Sequence, residues 1–118
     1  MTRIVLPDEV EYGKVDWGLT KELIGPKTVG SKKVKINMTE YLPGYAHKLH
    51  VHPNQEEAIY VLSGKGITET KGDRREIGPG SVVFVPAGEP HATFNLSQSE
   101  PLKAIIIKAP PEDKDVKM

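Results

Sequence analysis

A chain of 118 residues suits one domain around one core, and its sixteen Lys and Arg balance sixteen Asp and Glu. Net neutrality argues against general affinity for nucleic acid or for an anionic membrane surface. The absence of cysteine excludes disulfides and zinc–thiolate sites. No apolar run approaches ~18 residues and no signal-peptide core follows Arg3, so an intracellular, cytoplasmic protein with no membrane partner is the expectation.

Residues 1–30 read as an N-terminal arm with short strands, at 3–6, 15–19 and 22–24, punctuated by Gly13, Gly18, Gly25, Pro26 and Gly30. Trp17, the single tryptophan, is expected in the core or at a subunit interface. Residues 31–42 alternate, with Val34, Ile36 and Met38 on one face and Lys33, Lys35, Asn37 and Thr39 on the other, the pattern of a half-buried strand. The lysines there, without interleaved aromatics, read as a solvated outer face.

Residues 58–62 form an apolar run in which Ile59 and Val61 share the face of Glu57, which predicts a cavity that is largely apolar beyond its polar groups. Two further strands flank Gly72-Asp73, a Gly-first pair suited to a type II′ hairpin turn. Pro79 and Gly80 occupy the central positions of a predicted type II turn. Residues 82–85 are apolar on both faces, as in a strand buried on both sides. Residues 101–108 make a final apolar strand, and 109–118 read as a mobile, charged tail with nothing to bury. Eight to ten short strands, no helix, ten prolines and eleven glycines argue for an all-β sandwich or barrel, its body at residues 31–108.

Two stretches carry the chemistry. Residues 44–64 read G-x5-H-x-H-x4-E-x6-G, and residues 80–95 read G-x5-P-x-G-x2-H-x3-N. His50 and His52 are two apart, so a strand projects both to one face. Pro53 and Asn54 signal a turn, and a four-residue loop over 53–56 would set Glu57 opposite His52 across a hairpin. Two imidazoles and a carboxylate then converge, which is ligand geometry for a divalent ion. Odd-numbered His47 is turned away by a regular strand, as is Glu56, while Lys48 shares the parity of His50 and is expected at the solvated mouth.

At every defining position the two stretches resemble the paired motifs of the cupin superfamily, and the chain is similar to small single-domain cupins of the conserved-barrel, cupin-2 type. The resemblance implies a double-sheet antiparallel jelly-roll barrel. It also implies that His91 completes a metal site with His50, His52 and Glu57, and that the chain forms a homodimer with its N-terminal segment against the partner.

Such a nitrogen-and-oxygen donor set suits Mn or Fe, with Zn, Ni, Co or Cu also accommodated. It leaves positions for water or a small-molecule ligand. The first functional expectation is a metal-dependent enzyme acting on a small polar or carboxylate substrate, oxygenase- or decarboxylase-like, with Tyr41, Tyr45, His47 and Lys48 as candidate acid–base groups. The alternatives are a non-catalytic module binding metal or small ligand, and a sugar isomerase or epimerase, which the lack of a phosphate loop disfavours. The catalytic residues stay unassigned at this stage.

Overall fold

The computed structural model describes residues 1–112 and 115–118. The described residues form eleven strands and one helical turn, a 3-10 turn at Pro7–Glu9. The strands are β1 (Gly13–Val15), β2 (Gly18–Ile24), β3 (Lys35–Tyr41), β4 (Ala46–Val51), β5 (Glu56–Ser63), β6 (Gly66–Thr70), β7 (Asp73–Ile77), β8 (Val82–Val85), β9 (His91–Asn95), β10 (Leu102–Ala109) and β11 (Val116–Lys117). They lie in two antiparallel sheets. One runs β1-β2-β3-β10-β5-β8 and the other β11-β4-β9-β6-β7. The strand count and turn chemistry anticipate the all-β class, and the arrangement is the jelly roll that the resemblance implies.

The core lies between the sheets. Ile59, Val61, Leu102, Ala104, Ile106, Tyr41 and Ile77 form one buried cluster, with Trp17 and Val83 packed against it. Turn chemistry sets the crossings. Gly80 takes φ +89° and the Ser81 amide donates to the Gly78 carbonyl at 2.9 Å, the expected type II turn. Gly64 takes φ +88° where an added Cβ would meet the Pro101 carbonyl oxygen at 2.6 Å, so only glycine fits.

Several local expectations fail for nonlocal reasons. Residues 3–6 are not a strand, and the turn at Asp16 and Trp17 divides the expected 15–19 strand, with Val15 paired to Gly18. The two-residue loop between β6 and β7 is Lys71-Gly72, because Thr70 pairs with Asp73. Its positive φ falls on the second central residue, which is not the type II′ pattern. β8 is an edge strand with Val82 and Phe84 exposed, not a strand buried on both faces.

β3 is reversed in sense: Asn37 and Thr39 face inward, while Ile36 and Met38 face outward and are only half-buried. The tail expected at 109–118 includes Asp113 and Lys114, which lie outside the described residues. Of the rest, Val116 and Lys117 pair with Val51 and His50 of β4.

Candidate metal centre

The histidines come together through register. In β4 and β9, His50 pairs directly with His91 and His47 with Thr93. Lys48 and Leu49 of β4 thus oppose Ala92 alone on β9, a bulge. The bulge shifts parity, so His47 turns to the same inner face as His50. Sequence alternation alone placed it outward, and a bulge at Lys48 and Leu49 carries no local signature. Lys48 is exposed, as expected for a mouth lysine, and Glu56 is exposed on the opposite face from Glu57.

β4 and β5 belong to different sheets, so His52 and Glu57 do not form a hairpin pair. The 53–55 turn carries the chain across the sandwich, and the two residues approach each other from facing sheets. The result is nonetheless convergence. His52 Nε2 lies 3.7 Å from Glu57 Oε1, and His91 Nε2 lies 2.9 Å from Glu57 Oε2. The second motif is tied to the first by the Gly88 amide, which donates to the His52 carbonyl at 2.9 Å.

His50, His52 and His91 are all buried, and their ligand atoms lie within 4.8 Å of one another. Buried imidazole nitrogens normally have partners. Here His50 Nε2, both nitrogens of His52 and His91 Nδ1 have none. His50 Nδ1 donates to the Lys48 carbonyl at 2.6 Å, which fixes the tautomer and leaves the Nε2 lone pair facing inward. Burial lowers the His50 and His52 pKa values below the ordinary range, keeping both rings neutral as metal ligation requires. Burial by itself would raise the Glu57 carboxyl. The His91 hydrogen bond and the Lys108 ammonium outweigh it and bring the pKa down to about 2. The His50 and His52 imidazoles, with His91 beside them and one ionised carboxylate, fit a divalent transition ion.

Three groups were missed or misplaced by reading the sequence. Lys108 lies opposite Glu57 in the β5–β10 register, its Nζ 3.8 Å from Glu57 Oε1. His47 Nε2 lies 3.2 Å from Asp115 Oδ2, an aspartate expected in a free tail. Tyr41, Trp17, His47 and His50 stack in series, with successive ring centroids 4.7, 4.6 and 3.7 Å apart. Burial, and then the neighbouring His50, lower the His47 pKa to about 4. Tyr41 is buried, and burial followed by the Glu57 charge pushes its hydroxyl above the usual tyrosine range. The interior is therefore more polar than the Ile59–Val61 pattern predicts, since Thr39, Tyr41, Thr68 and Thr93 also face it.

A cavity of about 740 Å³ opens beside this stack, lined among others by Trp17, Tyr45, His47, His50, Asp115 and Lys117. That volume is in the range that small-molecule sites occupy. Among the described residues, no helix is long and apolar enough to cross a membrane.

Comparison with known proteins identifies the family and the fold. Residues 37–108 match the family model of the cupin domain. The chain is 29% identical to protein MJ1618 of Methanocaldococcus jannaschii, over 92% of this chain and 93% of that protein. It spans about half the length of two further relatives, the tetracenomycin polyketide synthase protein TcmJ of Streptomyces glaucescens and protein SCO3923 of Streptomyces coelicolor. Among solved structures, the polyketide cyclase RemF from Streptomyces resistomycificus superposes with a TM-score of 0.82 at 25% identity, covering 100% of this chain and 86% of RemF. Oxalate decarboxylase from Bacillus subtilis superposes with a TM-score of 0.78 at 27% identity, covering 93% of this chain but 30% of the decarboxylase.

Proposed function

Because this chain belongs to the cupin domain family, we propose that it is a metal-dependent enzyme acting on a small polar or carboxylate-bearing substrate, by an oxygenase- or decarboxylase-like reaction. The observation that carries this reading is the set of partnerless ring nitrogens on His50, His52 and His91, gathered beside Glu57. His50, His52, Glu57 and His91 would hold the ion, with Mn or Fe favoured by the donor set. Bound there, such an ion supplies a Lewis acid or a redox centre with coordination positions left for substrate.

The protein's own groups then divide the remaining work. Lys108 places a cation next to Glu57, where it attracts a substrate carboxylate into the barrel. Tyr41 stays protonated through the neutral range and offers a buried hydroxyl donor. His47, clamped between Trp17 and His50 and bonded to Asp115, is held in one orientation at the cavity wall. Polar groups beside an accessible cavity favour turnover over a sealed binding module. The relatives that include a decarboxylase and a cyclase support an enzyme of this broad kind. In this reading the barrel at residues 31–108 carries the site, the 1–30 arm and the C-terminal stretch complete its mouth, and the chain acts as a cytoplasmic homodimer.

Elemental analysis of protein purified without chelator or added metal tests the site, beside His50→Ala and His91→Ala variants. Near-stoichiometric Mn or Fe, lost in both variants, is the expected result, followed by oxygen-uptake and carbon-dioxide-release screens over small carboxylates. No metal in the parent, or metal retained in both variants, overturns the assignment.

A further inference from the structure

His50 belongs to two groups of metal-ligating atoms. In one it joins His52 and His91, and in the other it joins His47 and Asp115. Within each group the ligand atoms lie within 4.8 Å of one another. Only tertiary structure assembles the second group. The bulge at Lys48 and Leu49 turns His47 inward, and Asp115 immediately precedes β11, which pairs with β4. His47 Nε2 and Asp115 Oδ2 meet at 3.2 Å.

The two groups form a gradient from water to interior. The Asp115 side chain is 42% exposed and that of His47 22%, whereas His50 is 2% exposed. All three line the cavity of about 740 Å³, and His52, Glu57 and His91 do not. An ion entering by this cavity meets Asp115 and His47 before the buried donors, and His50 is the one inner donor on its wall.

We propose that His47 and Asp115 form a loading site, which captures a divalent transition ion at the cavity and passes it to His50 and on to the inner donors. This rests on the metal centre proposed above and adds a route of entry to it. An imidazole nitrogen and a carboxylate oxygen are both ligands for Mn, Fe, Co and Zn. A pair of protein donors leaves most of the ion's positions to water and holds it weakly. The four inner donors replace more of that water, so the ion moves inward toward tighter binding. A neutral His47 ring bonded to an ionised Asp115 carries its proton on Nε2. On capture the ring takes its other neutral tautomer, with the proton on Nδ1, and Nε2 is free for the ion. No net proton is released.

General attraction of cations does not explain the arrangement. The cavity wall carries Lys48 and Lys117 as well as Asp16 and Asp115, so these formal charges cancel. What favours an ion at one point on that wall is the pairing of ligand atoms.

The single tryptophan supplies the signal. Trp17 stacks on His47 at 4.6 Å, so its fluorescence responds to an ion arriving there. The visible ligand-field absorption of Co(II) reports its final coordination. Chelator-stripped protein is mixed with Co(II) by stopped flow, for the parent, Asp115→Asn, His47→Gln and Asp16→Asn. The parent is expected to show a fluorescence change whose rate rises with Co(II) concentration, followed by a slower rise in absorption. Asp115→Asn, at an exposed position, is expected to lose the early change and to load at least about tenfold more slowly, yet to reach the parent's final stoichiometry. His47→Gln is expected to behave alike. Asp16→Asn removes the same charge from the same wall without removing a ligand, and is expected to load like the parent.

Loading of Asp115→Asn at the parent's rate overturns the proposal. So does equal slowing in Asp16→Asn, which would make the effect one of charge. A lower final stoichiometry in Asp115→Asn also overturns it, by making Asp115 a permanent ligand. A parent that takes up no Co(II) in equilibrium dialysis strikes the metal centre and this route together, whereas full loading at unaltered rates in every variant strikes the route alone.

Discussion

Asn95 closes the second motif, and its environment predicts a strut and not a ligand. Its Nδ2 donates to the Tyr41 carbonyl at 2.9 Å and to the Glu100 carbonyl at 2.8 Å, while its Oδ1 accepts from the Ser97 amide at 2.8 Å. One amide group thus joins the end of β3, the end of β9 and the turn before β10. Asn95→Ala removes all three bonds. The buried Tyr41 bond is worth about 2 kcal/mol and each part-buried one about 1 kcal/mol, for a total near 4 kcal/mol. In a domain of this size that lowers the melting temperature by about 15 °C. Asn95→Asp keeps the Ser97 acceptor but aims a carboxylate at two carbonyl oxygens, so its loss at neutral pH is at least as large.

The assay is thermal unfolding by circular dichroism, with metal content measured on the folded variant at room temperature. The expected result is a large fall in melting temperature with metal stoichiometry retained. A fall of less than about 4 °C, or metal lost from a variant as stable as the parent, would refute the reasoning.

Three further outcomes are expected. The metal-free protein loses stability as pH falls below 6.5, because burial holds His50 and His52 neutral and lowers His47 to about 4. A base whose folded pKa is depressed contributes stability that is complete above its unfolded value and is lost as pH falls through the folded one. His47 alone accounts for about 2 kcal/mol between pH 7 and pH 5. Glu57, lowered to about 2, extends the loss from pH 4.5 downward, and a urea midpoint that is flat from pH 7 to 5 contradicts this. Gly64→Ala, at φ +88° against the Pro101 carbonyl, costs more than the roughly 1–2 kcal/mol of backbone strain that Gly72→Ala incurs at φ +75° in open space. Equal denaturation midpoints for the two variants would count against that packing. Metal at 100 times its dissociation constant raises parent stability by about 2.7 kcal/mol. His50→Ala and His91→Ala should show no such rise in the same calorimetric titration.

The sequence alone carried most of the turns and the facing of β5, which depend on neighbours along the chain. Glycine and proline marked the turns, and Gly44, Gly64, Gly80 and Gly88 all take positive φ in the structure. Two-residue alternation put Glu57, Ile59 and Val61 on one face of β5, and all three are buried. The spacing of His50, His52 and Glu57, and the resemblance that added His91, singled out the residues that meet between the sheets.

Tertiary structure decided what alternation cannot express. A period of two separates the faces of a strand without saying which is inside, so β3 turned out reversed. A bulge shifts parity without a signature of its own, so His47 joined the inner face. Sheet membership follows from long-range pairing, so β4 and β5 faced each other across the sandwich and not across a hairpin. The same pairing brought Lys108 to Glu57 and Asp115 to His47 across gaps of 51 and 68 residues. Those contacts are set by how two sheets close on each other, and no local stretch of chain records that closure.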